Sequence, residues 1–115
     1  MPITCSEFDA ALEHALKNAK VTFGAKRVMD YARRGTISLI VIANNAPEHI
    51  KKSIRHVAKL SDISVVFYPD NSQNLGRKCG KPFGVSALGI ERTAKRLKII
   101  DLVRHHAERE IYIEQ

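Results

Sequence analysis

The segment Lys81-Pro82-Phe83-Gly84-Val85 places one aromatic side chain beside a cation in a sequence typical of loops. Proline restricts the backbone before the ring, and glycine after it permits another group to approach closely. An aromatic ring next to positive charge is suited to stacking on unpaired nucleobases. The alternative is burial of Phe83 beneath its own loop.

A second candidate is the segment from Gly24 to Arg27, which opens a predicted helix with two cations in its first turn. The first N–H groups of a helix and the positive end of its dipole attract phosphate, whereas Lys26 and Arg27 oppose that dipole. This local conflict favours a binding role for Gly24, Lys26 and Arg27. A plain connector with solvated charges is the alternative.

The third candidate is the pair Asn44 and Asn45, which follows the apolar run 36–43. In α/β sheets, ligands gather where strands end and helices begin. An asparagine at such a place can pair with a base edge or cap a helix, and the spacing of Asn45 and Glu48 is that of a capping box. Considered alone, capping is favoured.

The basic segment 75–82 resembles a phosphate-binding loop but does not satisfy its pattern. The interval from Gly76 to Gly80-Lys81 is one residue too short, and Pro82 replaces the required hydroxyl residue. We therefore expect no nucleoside triphosphate. The cations Arg77, Lys78 and Lys81 still suit an RNA backbone.

Catalytic and metal-binding patterns are missing from the sequence. His105 and His106 are adjacent and would point in different directions on a helix, and there is no C-x-x-C. His49 and Cys79 could meet in the fold, but nothing places a third group beside them. We expect no enzyme activity, catalytic residue, metal or cofactor, with a small nucleotide-binding or catalytic α/β protein as a remote alternative.

The composition fits one basic α/β domain. The 115 residues are 44% hydrophobic and carry a net charge of +7, and the stretch 17–59 holds ten Lys or Arg against two acids. This imbalance favours a polyanionic partner, first of all nucleic acid. The sequence shows no membrane-spanning run and no signal-peptide pattern, so we expect a cytoplasmic protein without a membrane partner or a small-molecule substrate.

Hydrophobic periodicity predicts alternating helices and strands, and hence an α/β fold with helices on both faces of a sheet. The apolar stripe of the last predicted helix favours packing against the domain. The predicted helices cover residues 6–19, 24–34, 47–60, 72–79 and 91–110, and the predicted strands cover 20–23, 36–43, 63–68 and 85–90.

The order and spacing of four motifs resemble the ribosomal protein L-thirty-e family of the archaeal and eukaryotic large subunit, within the L-seven-Ae kink-turn-binding superfamily. The resemblance covers about residues 6–90. Its motifs are Val21–Arg27, Ile37–Pro47, Ala58–Val65 and Asn74–Leu88.

This resemblance implies a three-layer α-β-α sandwich with a mixed sheet of about four strands and a C-terminal helix. It also implies a structural constituent of the large ribosomal subunit that binds a kink-turn in ribosomal RNA. The contacts it implies come from three loops: Gly24, Lys26 and Arg27; Asn45 with Asn44 beside it; and Phe83, Gly84 and Val85.

The resemblance divides the chain into a kink-turn-binding domain, residues 1–90, and a helical extension, residues 91–115. We expect the extension to pack on the domain, with contacts to neighbouring ribosomal proteins as the alternative. Lys26 and Arg27 stand where the box C/D branch has Asn-Glu, which indicates the ribosomal branch. Asn74 replaces the family's usual glutamate. A stand-alone RNA-binding paralogue in another ribonucleoprotein is the closest alternative function.

Overall fold

The core of the protein is a mixed sheet covered by helices on both faces. The computed structural model describes residues 3–61, 63–68, 71–91 and 110–114. The helices are α1 (Cys5–Asn18), α2 (Ala25–Arg33), α3 (Glu48–Ser61) and α4 (Ser72–Lys78). The strands are β1 (Ile3–Thr4), β2 (Val21–Phe23), β3 (Ile37–Ala43), β4 (Ser64–Tyr68), β5 (Ala87–Glu91) and β6 (Glu110–Glu114).

The central strand β3 shows why the sheet is covered on both sides. Its residues point alternately to opposite faces, and both faces are apolar. Leu39 and Val41 belong to one buried cluster, whereas Ile40 and Ile42 belong to the other. All four side chains are at most 1% exposed. The predicted α/β fold is therefore confirmed.

Each cluster is completed by one pair of helices. On the first face, Phe8 and Leu12 of α1 and Leu75 of α4 pack together, and the Phe8 ring lies 5.7 Å from the ring of Tyr68. On the second face, Val28 of α2 and Ile54 of α3 are fully buried. These two helical layers enclose the sheet, as the three-layer sandwich requires.

Within the described residues the sheet has six strands, in the order β1-β6-β4-β3-β5-β2, which is two more than the predicted four. β6 pairs in parallel with β4 and with β1. The predicted helix over 91–110 begins and ends at residues that belong to strands, since Glu91 closes β5 and Glu110 opens β6. The residues between them lie outside the described part of the chain.

The candidate loops meet at one end of the sheet, where the strands start or stop. Here β2 ends at Phe23, β3 ends at Ala43, and β5 begins at Ala87. The Gly24 N–H donates to the Ala87 carbonyl (3.0 Å), and the Ala43 N–H donates to the Ser86 carbonyl (2.9 Å). We call this end of the layers the site edge. No helix within the described residues is long and apolar enough to cross a membrane.

Candidate nucleic-acid interface

Phe83 lies in the loop between α4 and β5 with 56% of its surface exposed. A phenylalanine this exposed loses apolar stabilisation unless another molecule covers it. The alternative of burial beneath the loop is therefore wrong. The sequence prediction that the loop presents an aromatic ring at the surface is confirmed.

Phe83 forms a ridge between two grooves. The first groove, of about 410 Å³, lies between the Phe83 loop and the start of α2, and Phe23, Gly24, Arg27 and Tyr31 line its far side. The second groove has a similar volume and lies towards α4, where Gln73 and Arg77 line it. Each groove thus combines a face of the Phe83 loop with an arginine.

Gly76 in α4 fixes the position of the Phe83 loop. A Cβ atom at this glycine would lie 2.1 Å from the carbonyl oxygen of Phe83, so the loop backbone occupies the space that any side chain would need. The Lys81 N–H donates to the Gly76 carbonyl (2.9 Å), and the Val85 N–H donates to the Ser72 carbonyl (2.9 Å). Sequence reasoning missed this role, although a glycine inside a helix is itself a signal of close backbone approach.

Asn45 ties the end of β3 to the start of α4. Its Oδ1 accepts a hydrogen bond from the Ser72 N–H (2.8 Å), and its Nδ2 donates to the Ser72 hydroxyl (3.5 Å). Asn45 stands two residues before the N-cap position of α3, which begins at Glu48. The predicted capping box of Asn45 and Glu48 at the start of α3 is therefore wrong. The Asn45 side chain instead accepts a hydrogen bond from the first turn of α4.

Asn44 is exposed beside Asn45, and its backbone carbonyl accepts a hydrogen bond from the Lys51 ammonium group (2.9 Å). Lys51 also lies 3.7 Å from the Glu48 carboxylate. The lysine thus holds the backbone of the turn between β3 and α3, and it adds positive charge next to the two asparagines.

The first loop presents its cations at an open helix start. Gly24 is the N-cap of α2 with φ 99°, and no side chain caps the helix. Lys26 and Arg27 are exposed in the first turn, which contains no acidic residue. A Cβ at Gly24 would meet nothing within 4 Å, so an incoming molecule can reach this backbone. The structure places Arg27 in the first groove, opposite Phe83.

The remaining predicted cations have different surroundings. Lys81 lies with its ammonium group 4.8 Å from the centre of the Phe23 ring, a cation–π contact that crosses the first groove. Arg77 is exposed in the second groove. Lys78 instead forms an ion pair with Asp9 of α1, and Asp9 also accepts a hydrogen bond from the Tyr68 hydroxyl (3.1 Å).

Val85 and Gly84 contribute backbone rather than side chains to this surface. The Val85 side chain is only 2% exposed and belongs to the core beneath the loop. Gly84 is exposed, and a Cβ there would lie 3.3 Å from the Ser72 hydroxyl. Both residues therefore support the ridge on which Phe83 stands.

Cys79 is the C-cap residue of α4 and carries a thiol. Burial raises the pKa of the Cys79 thiol to about 11, although nearby Lys81 acts in the opposite direction. The thiol is therefore protonated at neutral pH and is a weak nucleophile. Within residues 8–61, 63–68 and 71–91, the His, Cys, Asp and Glu side chains form no cluster of three that could hold a metal ion.

Known proteins are similar to this chain in sequence, and a solved structure is similar to it in fold. The model of the Ribosomal protein L7Ae/L30e/S12e/Gadd45 family matches residues 6–99. The chain is 36% identical to large ribosomal subunit protein eL30 of Saccharolobus solfataricus, over 84% of this chain and 89% of that protein. It is 39% identical to the eL30 protein of Methanothermobacter thermautotrophicus, over 74% of this chain and 87% of that one.

A solved structure, of a protein with unknown function from Bacillus halodurans C, superposes with a TM-score of 0.68 and 22% identity. The match covers 75% of this chain and 85% of the other, and it supports the fold. The family model spans residues 6–99 and so includes every loop of the site edge. The chain therefore belongs to the Ribosomal protein L7Ae/L30e/S12e/Gadd45 family.

Proposed function

We propose that this protein is a structural constituent of the large ribosomal subunit and binds ribosomal RNA at a kink-turn through its site edge. The proposal is supported by membership of the family and by relatives that are named large ribosomal subunit protein eL30. It places the protein in the cytoplasm, on ribosomes. The protein would act there by holding RNA in shape and would catalyse no reaction.

The exposed Phe83 ridge is the observation that carries the proposal. RNA-binding proteins recognise unstacked bases largely by stacking and apolar contact, and a sharply bent RNA presents such bases. A base on each side of the ridge would occupy the two grooves. Stacking of this kind contributes about 1–3 kcal/mol per base.

Positive charge around the ridge would hold the RNA backbone. Arg27 lines one groove, with exposed Lys26 next to it in the first turn of α2, and Arg77 lines the other groove. Phosphate contacts set the orientation of the RNA, whereas base contacts supply the discrimination. Asn44 and Asn45 are both exposed at the end of β3, and an asparagine amide in this position would pair with the edge of an unstacked base.

The other predicted residues would contribute to this interface in different ways, through a side chain, through the backbone or as support. Lys81 would act from its position over Phe23, and Gly84 through its backbone. Val85 would act by supporting the ridge, since its side chain is buried. Lys78 is left out of the interface because its ammonium group is paired with Asp9. The binding surface would lie within residues 1–90, while β6 from the C-terminal part belongs to the same sheet. Neighbouring ribosomal proteins would be contacted by the C-terminal part.

A binding titration at fixed salt tests the proposal. A kink-turn RNA with tandem sheared G·A pairs is compared with a straight duplex of the same length. We expect a preference of about a hundredfold or more for the kinked RNA. Equal affinities with the same steep salt dependence would contradict the proposal, because charge alone would then account for binding. Co-sedimentation with large subunits separates a ribosomal protein from a stand-alone paralogue.

A further inference from the structure

Two adjacent cations in the last turn of α4, Arg77 and Lys78, have different surroundings. Arg77 is exposed and lines the second groove beside Phe83. Lys78 instead forms an ion pair with the Asp9 carboxylate of α1. Successive residues of a helix point about 100° apart, so the same turn directs one cation to the site edge and the other to α1.

Asp9 is oriented by the core as well as by Lys78. Its Oδ1 accepts a hydrogen bond from the Tyr68 hydroxyl (3.1 Å), while its Oδ2 faces the Lys78 ammonium group. Tyr68 ends β4, is only 1% exposed, and packs with its ring 5.7 Å from the Phe8 ring. The Asp9 side chain is 21% exposed. A partly desolvated carboxylate attracts a cation more strongly than one surrounded by water, so Asp9 restrains Lys78.

Lys78 is nevertheless next to the RNA-facing side of α4. The chain turns back immediately after it, since the Gly80 N–H donates to the Arg77 carbonyl (3.0 Å) and the Phe83 loop follows. The Lys78 side chain is 41% exposed. A lysine ammonium group sits on a flexible four-carbon stem. Without the charge of Asp9, the same side chain would be able to turn towards a phosphate at the site edge.

A further mobile cation at this place would change discrimination as well as affinity. Phosphate contacts are made with any RNA, whereas contacts to bases carry the selectivity. A straight duplex can shift along the surface to meet whichever cations are accessible. A kink-turn positioned by Phe83 has a fixed register and gains less. Free Lys78 would therefore strengthen binding of straight RNA more than binding of kinked RNA.

We propose that Asp9 is a specificity-determining residue, which favours kinked over straight RNA by holding Lys78 away from the RNA. This inference rests on the proposed function, and it assigns a role to a residue outside the three RNA-contacting loops. The alternative is that the ion pair only joins α1 to α4. A half-exposed ion pair contributes little to stability, so the two roles differ in their effect on RNA binding.

Asp9→Asn tests the proposal, because the amide keeps an oxygen acceptor for Tyr68 and removes the charge that restrains Lys78. The intact protein is titrated with a straight RNA duplex and with kink-turn RNA at several salt concentrations. We expect affinity for the duplex to rise about fivefold and its salt slope to steepen by about 0.9, as for one added phosphate contact. Affinity for kink-turn RNA should stay within about twofold of wild type.

The two adjacent cations provide an internal comparison. Arg77→Gln should make the duplex salt slope shallower by about 0.9, whereas Lys78→Gln should leave it within about 0.2 of wild type. In the Asp9→Asn background, Lys78→Gln should cancel the gain in duplex affinity. Equal effects of Arg77→Gln and Lys78→Gln in the wild-type protein would overturn the proposal, because Lys78 would then already contact RNA.

Glu13→Gln is the matched control for the loss of an acid. Glu13 is exposed on α1 one turn after Asp9, and the substitution changes the net charge by the same amount. We expect it to leave the duplex salt slope unchanged. If Glu13→Gln and Asp9→Asn steepen the slope equally, general electrostatics accounts for the effect and the proposal fails.

The outcomes separate this inference from the proposed function. Equal affinity of the wild-type protein for both RNAs would contradict kink-turn binding, yet a steeper duplex slope in Asp9→Asn than in Glu13→Gln would still support the restraint of Lys78. A wild-type preference for kinked RNA with no change in Asp9→Asn would overturn only the inference. Weaker binding of both RNAs by Asp9→Asn would assign the ion pair a structural role. If circular dichroism melts show that Asp9→Asn is unfolded, the comparison of Arg77→Gln with Lys78→Gln decides.

Discussion

The two loops that face each other across the first groove are built in different ways. The Phe83 loop is held by backbone contacts to α4, where Gly76 leaves room for the Phe83 carbonyl. The Gly24 turn has open space where a side chain would stand, and it combines a backbone φ of 99° with one backbone hydrogen bond to Ala87. The aromatic ridge therefore depends on packing between distant segments, whereas the cations opposite depend on a local conformation.

Gly76→Ala should have the largest effect, and it tests whether packing against α4 holds the Phe83 loop. Its Cβ would lie 2.1 Å from the Phe83 carbonyl oxygen, so the loop must move away from α4. We expect a loss of about 3 kcal/mol in the free energy of unfolding, as for an overpacked core, together with loss of kink-turn preference. Urea denaturation measures the first effect. Gln73→Ala, an exposed change in the same helix, is the control and should leave stability within about 0.5 kcal/mol of wild type.

Phe83→Ala separates the function of the ridge from its support. Because the ring is largely exposed, the free energy of unfolding should change little. Affinity for kink-turn RNA should fall by about 2 kcal/mol with little change in salt slope, since stacking involves no counterion release. Titration at several salt concentrations measures both quantities. An unchanged affinity would show that the ridge makes no contact with the RNA.

Gly24→Ala tests the local side of the comparison. The substitution creates no clash, but it forces a side chain into a conformation that glycine favours. We expect a loss of about 1.5 kcal/mol in stability from this strain alone. Thermal melts at matched ionic strength would measure it. A loss as large as that of Gly76→Ala would mean that the Gly24 turn is also held by packing.

Asn45→Ala is expected to have the smallest effect on folding. It removes the acceptor for the Ser72 N–H at the start of α4, which should lower the free energy of unfolding by about 1 kcal/mol. Asn45→Asp keeps that acceptor and should recover most of the loss. If Asn45→Asp is no more stable than Asn45→Ala, the hydrogen bond to Ser72 does not stabilise the loop.

The parts of the fold that the sequence predicted correctly are those with strong local patterns. The apolar run of β3 and the stripe of α3 identify buried elements, and both lie where periodicity placed them. β6 was missed because the helical periodicity before it suggested a helix through residue 110. Glu110–Glu114 form a strand by pairing with β4 and β1, which lie far away in the sequence, and such pairing cannot be read from local periodicity.

The site was predictable to the same extent. Phe83, Lys26 and Arg27 could be chosen as candidates because their residue types conflict with their local surroundings, and all three are exposed. The role of Gly76 and the bond from Asn45 to Ser72 join segments far apart in the sequence. Likewise, the ion pair that directs Lys78 to Asp9 depends on how α1 packs near α4. Charge can be counted in a sequence, but its partners are known only from the fold.

The pairing of β1 and β6 has a consequence for how the protein is made. Ile3 pairs with Ile113, whereas every strand and helix of the site edge lies between residues 21 and 91. During synthesis, every element of the site edge therefore leaves the ribosome before β6 does. Until then one side of β4 is an unpaired sheet edge, which invites association with other chains. Pairing with β6 then covers this side of β4 and prevents such association, without contributing to the site edge.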